Sequence, residues 1–220
     1  MTSADISRKN MIDGQIKPNK VTDPALLDIL GRTPRERFVP RHLQAMAYID
    51  EDIPLGNGRY LPEPMVLARL IQEAAITPTD LILDVACGTG YSTAIMAQLG
   101  ATVVGVETSK DMADEAERHL HDLDILNVAI IHQSDLRAGY PQQGPYQVIL
   151  INGAVDSVPQ TLAAQLADGG RLLAVIRQPH SRIGQAVIVT RLGDNFVTRA
   201  LFDAGTPALP GLCDTAKFEF

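Results

Sequence analysis

Short apolar segments separated by helical periodicity occupy the chain from residue 81 onward. The segments cover residues 81–85, 102–106, 128–131, 147–151 and 171–176. Most of them lack alternation of hydrophobic and polar residues, which is typical of strands buried on both faces of a parallel sheet. Because helices connect successive strands, we expect right-handed crossovers. The pattern therefore predicts an α/β fold with a Rossmann-like, doubly wound and mainly parallel sheet.

Prolines and turn residues divide the first part of the chain. Three helices are predicted, over residues 24–30, 40–48 and 64–76, and each begins at a proline. Residues 48–62 are rich in Gly, Asn and Pro and show neither helical nor strand periodicity. This segment is therefore predicted to be a long loop, and loops of this length in a compact domain are often functional.

Two more helix starts and one hairpin are predicted between and after the strands. Residues 108–111, Thr-Ser-Lys-Asp, resemble a capping box at the beginning of a helix. Residues 158–159, Val-Pro, begin another helix, which is predicted to end at residues 168–170. Residues 185–191 and 195–202 flank a Leu-Gly-Asp turn, so they predict an antiparallel hairpin at the edge of the sheet.

Composition restricts the classes of partner. The 220 residues suffice for one domain with an extension, and 45% of them are hydrophobic, enough to form a core. Nineteen Lys and Arg against twenty-six Asp and Glu leave a formal net charge of −7, which disfavours binding to nucleic acid or an anionic membrane. The two cysteines form no metal-ligand cluster, so no metal site is expected. Without an apolar signal segment or membrane span, the sequence predicts a cytoplasmic protein.

The segment around Asp84 carries the strongest indication of ligand binding. Gly88 and Gly90 follow the first predicted strand, where backbone without side chains can approach a ligand closely. Glu107 ends the second strand, where a carboxylate can accept hydrogen bonds from both ribose hydroxyls of a nicotinamide dinucleotide or of S-adenosylmethionine. Thr93 replaces the third glycine of a dinucleotide fingerprint, and the Asp84 carboxylate would repel a pyrophosphate. The pattern therefore favours S-adenosylmethionine.

Residues 84–90, Asp-Val-Ala-Cys-Gly-Thr-Gly, resemble the first motif of the class I S-adenosylmethionine-dependent methyltransferases, (D/E)-x-x-x-G-x-G. The resemblance implies that residues 86–90 curve around the methionine part of the cofactor, that Asp84 helps to hold this part, and that Glu107 binds the ribose. It also implies an adenine contact from residues 132–135, His-Gln-Ser-Asp, for which the alternative is a simple turn. The candidate cofactor ligands are Asp84, Ala86, Cys87, Gly88, Gly90, Glu107, Thr108, Ser134, Asp135 and Asn152.

A narrower resemblance, to the protein-L-isoaspartate O-methyltransferase family, covers nearly the whole chain. Its motifs are at residues 10–16, 34–40, 48–58, 151–154, 158–159 and 165–172. The resemblance implies protein repair: methylation of an isoaspartyl carboxylate in a damaged protein or peptide, with S-adenosylmethionine as donor and S-adenosylhomocysteine as product. We expect residues 1–62 to form an N-terminal helical extension with an active-site loop, and residues 63–220 to form the methyltransferase domain, within one structural unit.

The chain departs from the family in the loop that is expected to contact the substrate. Family members follow the loop glycine with Q-T-I-(S/T)-x-P, and the Ser or Thr hydroxyl is thought to engage the substrate carboxylate. Here residues 59–62 are Arg-Tyr-Leu-Pro. Pro62 has neither a hydroxyl nor a backbone N–H, so it cannot donate that hydrogen bond, and Arg59 and Tyr60 are the alternative donors. The candidate substrate loop comprises Asn57, Arg59, Tyr60, Leu61 and Pro62, and no catalytic residue is assigned.

Three alternatives to isoaspartyl repair remain open: methylation of another acceptor such as a small-molecule carboxylate or hydroxyl, cofactor binding without catalysis, and an NAD-dependent oxidoreductase. His119 and His121 are two positions apart on a predicted helix, so they do not face each other as metal ligands would. Cys87 has no His close in sequence and is interpreted as a small loop residue rather than a nucleophile. The sequence assigns no oligomeric state.

Overall fold

Helical turns form the N-terminal part of the chain. The computed structural model describes residues 2–178, 181 and 183–213, so residues 214–220 of the expected second region lie outside the described part. The chain begins with α1 (Ser3–Met11), a π-helical turn (Ile12–Ile16) and a 3-10 turn (Lys17–Asn19). Helix α2 (Pro24–Arg32) begins at its predicted proline, and the side chain of Asp23 caps its first N–H groups.

The helix predicted over residues 40–48 is not an α-helix. Two 3-10 helices, Arg35–Phe38 and Arg41–Met46, are found in this part of the chain. No residue of Arg41–Met46 is buried. The segment therefore lacks the apolar face whose packing stabilises longer α-helices.

The predicted loop over residues 48–62 contains a β-hairpin. Strand β1 (Ile53–Gly56) pairs antiparallel with β2 (Arg59–Leu61), through a turn in which Gly56, Asn57 and Gly58 have φ angles of 103°, 52° and 72°. These left-handed angles favour glycine and are tolerated by asparagine. The expectation of an irregular loop is wrong because strands of 4 and 3 residues are too short to show a period in sequence. We call residues 53–61 the cover hairpin.

A seven-stranded sheet forms the rest of the fold, together with four helices: α3 (Pro64–Ala74), α4 (Tyr91–Ala97), α5 (Lys110–Asp122) and α6 (Gln160–Ala163). Its strands are β3 (Leu81–Val85), β4 (Thr102–Glu107), β5 (Val128–His132), β6 (Tyr146–Val155), β7 (Leu166–Ile176), β8 (Gly184–Leu192) and β9 (Asn195–Ala204). The spatial order is β5-β4-β3-β6-β7-β8-β9; the first five are parallel, and β8 and β9 form an antiparallel hairpin at the edge. The predicted fold class is confirmed.

Two predicted helix boundaries are wrong. Ser109, not Thr108, caps α5: the Ser109 hydroxyl accepts from the backbone N–H of Met112, whereas the Thr108 hydroxyl donates to Glu107 Oε1 at 3.4 Å. Helix α6 has 4 residues and ends well before residues 168–170, which lie within β7. Strand β7 begins early because Leu166 already pairs with the first residue of β6.

Both faces of the sheet are covered, as the lack of alternation predicts. The neighbouring β3 residues Ile82 and Leu83 are both buried and belong to two different apolar clusters. The first cluster also contains Met11, Leu26 and Phe38, so the N-terminal helices pack on the same core as the sheet. Within the described residues, no helix combines the length and apolar character that a membrane crossing requires.

Candidate functional site

The turn after β3 places backbone, not side chains, at the carboxyl edge of the sheet. Ala86, Gly88 and Gly90 have φ angles of 63°, 56° and 95°, and Gly90 is the N-cap of α4. A Cβ at position 90 would lie 3.1 Å from the Cβ of Ala116 in α5, so the left-handed angle and the close packing both require glycine there. We call residues 86–90 the glycine loop.

Asp84 is completely buried beneath this loop and is held by three side-chain donors. Ser92 and Thr93 donate to its Oδ2 at 2.7 and 2.6 Å, and Asn152 donates to its Oδ1. Burial raises the pKa of Asp84 to about 6, although the three donors act in the opposite direction. The carboxylate thus links β3, the first turn of α4 and β6. Its role toward a cofactor stays a prediction.

Glu107 is also fully buried, and backbone N–H groups orient it. Its Oε1 accepts from the backbone N–H groups of Thr108 at 2.8 Å and Ser109 at 3.0 Å, and its Oε2 accepts from that of Gly88 at 2.8 Å. Burial by itself would raise the pKa of Glu107, but the Arg59 guanidinium and these donors outweigh burial and lower the pKa below its usual value. Glu107 is therefore an ionised acceptor at the edge of the sheet.

Arg59 reaches this carboxylate from the cover hairpin. Its Nη1 lies 2.6 Å from Glu107 Oε1, its Nη2 donates to the carbonyl of Ala86 at 2.8 Å, and its side chain is 5% exposed. On the other hairpin strand, Leu55 Cδ1 lies 3.1 Å from where a Cβ at Gly88 would be. The cover hairpin therefore lies directly against the glycine loop. In this arrangement the guanidinium of Arg59 faces Glu107, and its role as an alternative donor to a substrate carboxylate stays a prediction.

The segment after β5 lies beside Glu107. The backbone N–H of Gln133 donates to the carbonyl of Glu107 at 3.0 Å, and His132 Nε2 lies 3.3 Å from the carbonyl oxygen of Thr108. Asp135 caps the short 3-10 helix Leu136–Ala138, so it has the turn-forming role that was the alternative for this segment. The adenine contact implied for Ser134 and Asp135 stays a prediction.

The rest of the substrate loop is held at its base and exposed at its turn. Pro62 is buried, and its carbonyl accepts from Nη2 of Arg35 at 2.7 Å; the guanidinium of Arg35 is itself fully buried and lies 5.0 Å from the ring centre of Tyr91. Tyr60 is 38% exposed. Pro62 has no donor to offer a substrate carboxylate, and Arg35 is a buried neighbour of the substrate loop that the sequence analysis did not single out.

A small cavity of about 10 Å³, roughly the space of one water molecule, lies between the substrate loop and the end of the sheet. Its lining includes Arg59, Pro62, Asn152 and Thr206. Two of these contribute buried polar atoms without a hydrogen-bond partner among the described residues, Arg59 Nε and Thr206 Oγ1. Thr206 belongs to a C-terminal segment with no motif of its own, so only the fold brings it beside Pro62.

Acidic side chains lie at the base of the cover hairpin. Asp52 accepts a hydrogen bond from the backbone N–H of Glu63 at 3.0 Å, and burial raises the pKa of Asp52. Burial, together with repulsion from Asp52, Asp50 and Glu51, raises the pKa of Glu63 to about 7. This end of the substrate loop therefore changes charge near neutral pH.

The sequence analysis excluded His119 as a metal ligand and Cys87 as a nucleophile, and the role of Cys87 toward a cofactor stays a prediction. His119 packs edge-on against Phe38, with ring centres 5.2 Å apart, and its Nδ1 lies 3.1 Å from the carbonyl oxygen of Thr89. Burial raises the pKa of Cys87 well above its usual value, so it is a neutral thiol rather than a thiolate nucleophile. Among the described residues, no group of His, Cys, Asp and Glu could hold a metal ion.

Comparisons with known sequences point to one enzyme family. The profile described as protein-L-isoaspartate(D-aspartate) O-methyltransferase matches residues 6–200. A protein-L-isoaspartate O-methyltransferase of Herpetosiphon aurantiacus is 34% identical over 189 residues, which cover 86% of this chain and 83% of that protein. Another, from Trichlorobacter lovleyi, is 37% identical over 173 residues, 79% of each chain.

Solved structures of the same class share the fold. A protein-L-isoaspartate O-methyltransferase with 26% sequence identity superposes with a TM-score of 0.79, over 94% of this chain and 67% of that one. A Plasmodium falciparum protein assigned to the same class, solved in complex with S-adenosyl-L-homocysteine, has 19% identity and a TM-score of 0.78 over 96% of this chain and 100% of that one. The latter likeness supports the fold alone.

Proposed function

The chain belongs to the protein-L-isoaspartate O-methyltransferase family, and from this premise we propose that it transfers a methyl group from S-adenosylmethionine to an isoaspartyl carboxylate of a protein or peptide, leaving S-adenosylhomocysteine. One observation carries the proposal: the family match over residues 6–200 includes a glycine loop and a buried acceptor, Glu107, at the same edge of the sheet. The two cysteines are free thiols, which supports a cytoplasmic location.

The chemistry of the donor set fits this cofactor. The glycine loop offers close backbone approach, and the ionised carboxylate of Glu107 is an acceptor suited to ribose hydroxyls. The buried Asp84 carboxylate would attract the ammonium group of the methionine part. One side chain disagrees with this fit: the guanidinium of Arg59 lies on the Glu107 carboxylate and on the carbonyl of Ala86.

Methyl transfer requires little acid–base chemistry from the protein. S-adenosylmethionine supplies a methyl group on a sulfonium, and a carboxylate acceptor is already ionised at neutral pH. The residues of the site therefore act by position: Glu107 and the glycine loop hold the donor, and the cover hairpin excludes water. Holding two reactants in line accounts for much of the rate of such a reaction.

The direct experiment is methyl transfer from S-adenosylmethionine with a radiolabelled methyl group. The acceptor is an isoaspartyl peptide, and the matched control is the peptide of identical sequence with a normal aspartyl residue. We expect base-labile label on the isoaspartyl peptide only. Label on neither peptide, from a protein that binds the cofactor, would exclude this acceptor.

A second candidate function is methylation of a different acceptor, and the structure of the substrate loop favours it. Pro62 carries no donor, and the guanidinium of Arg59 is directed to Glu107. Size-fractionated cell extract, incubated with the labelled donor, separates the two functions. Label in the small-molecule fraction supports the second candidate, and cofactor binding without label in any fraction supports a protein that binds the cofactor without catalysis.

A further inference from the structure

The guanidinium of Arg59 occupies the acceptor that the proposed cofactor needs. Three backbone N–H groups already orient the Glu107 carboxylate, and Arg59 Nη1 is the additional donor, at 2.6 Å. Arg59 Nη2 takes the carbonyl of Ala86 in the glycine loop. Two ribose hydroxyls approaching Glu107 would need the space and the oxygen that Arg59 now uses.

We propose that Arg59 determines cofactor affinity by competing with the ribose of S-adenosylmethionine for Glu107. This proposal rests on the proposed function, because it assumes that S-adenosylmethionine binds at the carboxyl edge of the sheet. In the free protein the guanidinium neutralises the buried carboxylate. The cofactor binds to the fraction of molecules in which Arg59 has left, so its apparent affinity is lower than its intrinsic affinity by that fraction.

The cover hairpin is built so that Arg59 can leave while the fold stays intact. At its base, Ile53 and Leu61 are 1% and 5% exposed, and Arg35 holds the carbonyl of Pro62. Its turn is exposed and consists of Gly56, Asn57 and Gly58, all with positive φ angles. Departure of the Arg59 side chain therefore requires no change in the contacts at the base of the hairpin.

A partly buried arginine elsewhere in the fold, Arg171, provides a comparison; its side chain is 19% exposed. Arg171 pairs with Asp80 at 2.7 Å, and its Nε, Nη1 and Nη2 all donate hydrogen bonds, to side chains or to backbone carbonyls. Arg59 instead leaves Nε buried without a partner among the described residues. Arg171 has the full set of partners expected of a structural ion pair, whereas Arg59 is incompletely bonded and lies against the ligand edge.

The test is titration calorimetry with S-adenosylhomocysteine on the full chain. The variants are Arg59→Met, which keeps an unbranched side chain but no charge, and Arg59→Gln, which keeps a polar group; Arg171→Met is the control for loss of a partly buried ion pair elsewhere. If the closed arrangement holds about nine molecules in ten, both Arg59 variants should bind about tenfold more tightly than the unmodified protein. Arg171→Met should bind with unchanged affinity.

Equal or weaker binding by both Arg59 variants, with circular dichroism and thermal unfolding showing that they fold, would overturn the proposal, since Arg59 would then support the site. No binding by any variant would overturn both the competition and the proposed cofactor. Tighter binding by the Arg59 variants without transfer to an isoaspartyl peptide would support the competition and reject only the proposed acceptor. Arg59→Gln preserves the test if Arg59→Met fails to fold.

Discussion

The glycine loop and the cover hairpin are in contact, yet only the glycine loop has the sequence motif expected of the family. Residues 84–90 match the methyltransferase motif, whereas residues 59–62 differ from the run that was expected of the family, which ends in a hydroxyl residue. The loop is held between β3 and α4, and a Cβ at Gly90 would meet Ala116. The hairpin is buried mainly through its base and is exposed at its turn. The glycine loop, which is expected to bind the methyl donor, thus has the expected family motif. The cover hairpin, which is expected to face the methyl acceptor, departs from it.

The contact between the two regions has an electrostatic consequence. A positive side chain in the hairpin meets a negative one beside the loop, with both fully or nearly buried. Changing either region therefore changes the other, and variants can separate the contribution of each.

Removing the Glu107 carboxylate is the change with the largest expected effect. Glu107→Ala leaves the backbone N–H groups of Gly88, Thr108 and Ser109 without their acceptor, so we expect the free energy of unfolding to fall by about 1–3 kcal/mol. Affinity for S-adenosylhomocysteine should fall about tenfold or more, since one to two charge-assisted hydrogen bonds are lost. Urea unfolding and calorimetry measure the two effects.

The double variant Arg59→Met, Glu107→Ala is the control for this prediction. It should be at least as stable as Glu107→Ala, because the guanidinium that has lost its partner is also removed, but it should not recover affinity. Full affinity in Glu107→Ala would show that Glu107 is not the ribose ligand.

The second prediction concerns the missing hydroxyl at position 62. Loss of one such hydrogen bond costs about 1–3 kcal/mol of transition-state stabilisation, so isoaspartyl methylation should be about 5- to 150-fold slower than in a family member that has the hydroxyl. Replacing residues 59–62 by Gln-Thr-Ile-Ser should raise the rate. Rates with isoaspartyl peptide at saturating cofactor provide the measurement.

Two single variants separate the causes of any rate change that follows from replacing residues 59–62. Arg59→Gln alone isolates the release of Glu107, and Pro62→Ser alone isolates the hydroxyl, although proline also restricts the backbone of the preceding residue Leu61. If the unmodified protein and an authentic family member assayed alongside methylate the isoaspartyl peptide at comparable rates, this prediction is rejected. The chain would then be an isoaspartyl repair enzyme that does not need the hydroxyl.

A smaller effect is expected from Glu63, at the base of the hairpin. Its pKa is raised to about 7 in the folded protein. The folded state therefore binds more protons than the unfolded state between about pH 4.5 and 7, and stability should fall as the pH rises through this range. Because Glu63 is only half-buried, we expect a loss of about 1 kcal/mol. The stability of Glu63→Gln, measured by urea unfolding, should not decrease over this pH range. If Glu63→Gln and the unmodified protein show the same pH dependence of stability, the raised pKa does not belong to Glu63.

The smallest effect is expected at Thr206. Its hydroxyl is buried without a hydrogen-bond partner among the described residues. Thr206→Val removes that uncompensated group, so the free energy of unfolding should rise by about 0.5–1 kcal/mol. A loss of stability in urea unfolding would mean that the hydroxyl is satisfied by ordered water in the cavity. A higher KM for isoaspartyl peptide would assign the hydroxyl to the acceptor side.

Local chemistry was enough to predict much of this protein. The five apolar segments, the glycine loop after the first strand and the acidic residue ending the second are local patterns, and each follows from what a buried strand or a close backbone approach requires. In the N-terminal part, a capping Asp followed by proline and an apolar stripe was enough to predict helix α2. Two predictions failed. Thr108 and Ser109 both have a side chain that can cap a helix, and the cap of α5 is Ser109; the strands of the hairpin within residues 48–62 are too short to show a period.

The sequence by itself determined that the sheet is mainly parallel and that Asp84, Gly88, Gly90 and Glu107 lie at the ends of its first two strands, because strand burial and loop geometry depend on neighbouring residues in the chain. Only the tertiary structure decided which side chains contact Asp84 and Glu107. Arg59 is 48 positions from Glu107, and Asn152 is 68 positions from Asp84. A charge finds its partner through the packing of the whole chain, because the free energy of a buried ion depends on every group around it. The role of Arg59 is therefore visible in the fold and absent from the motif.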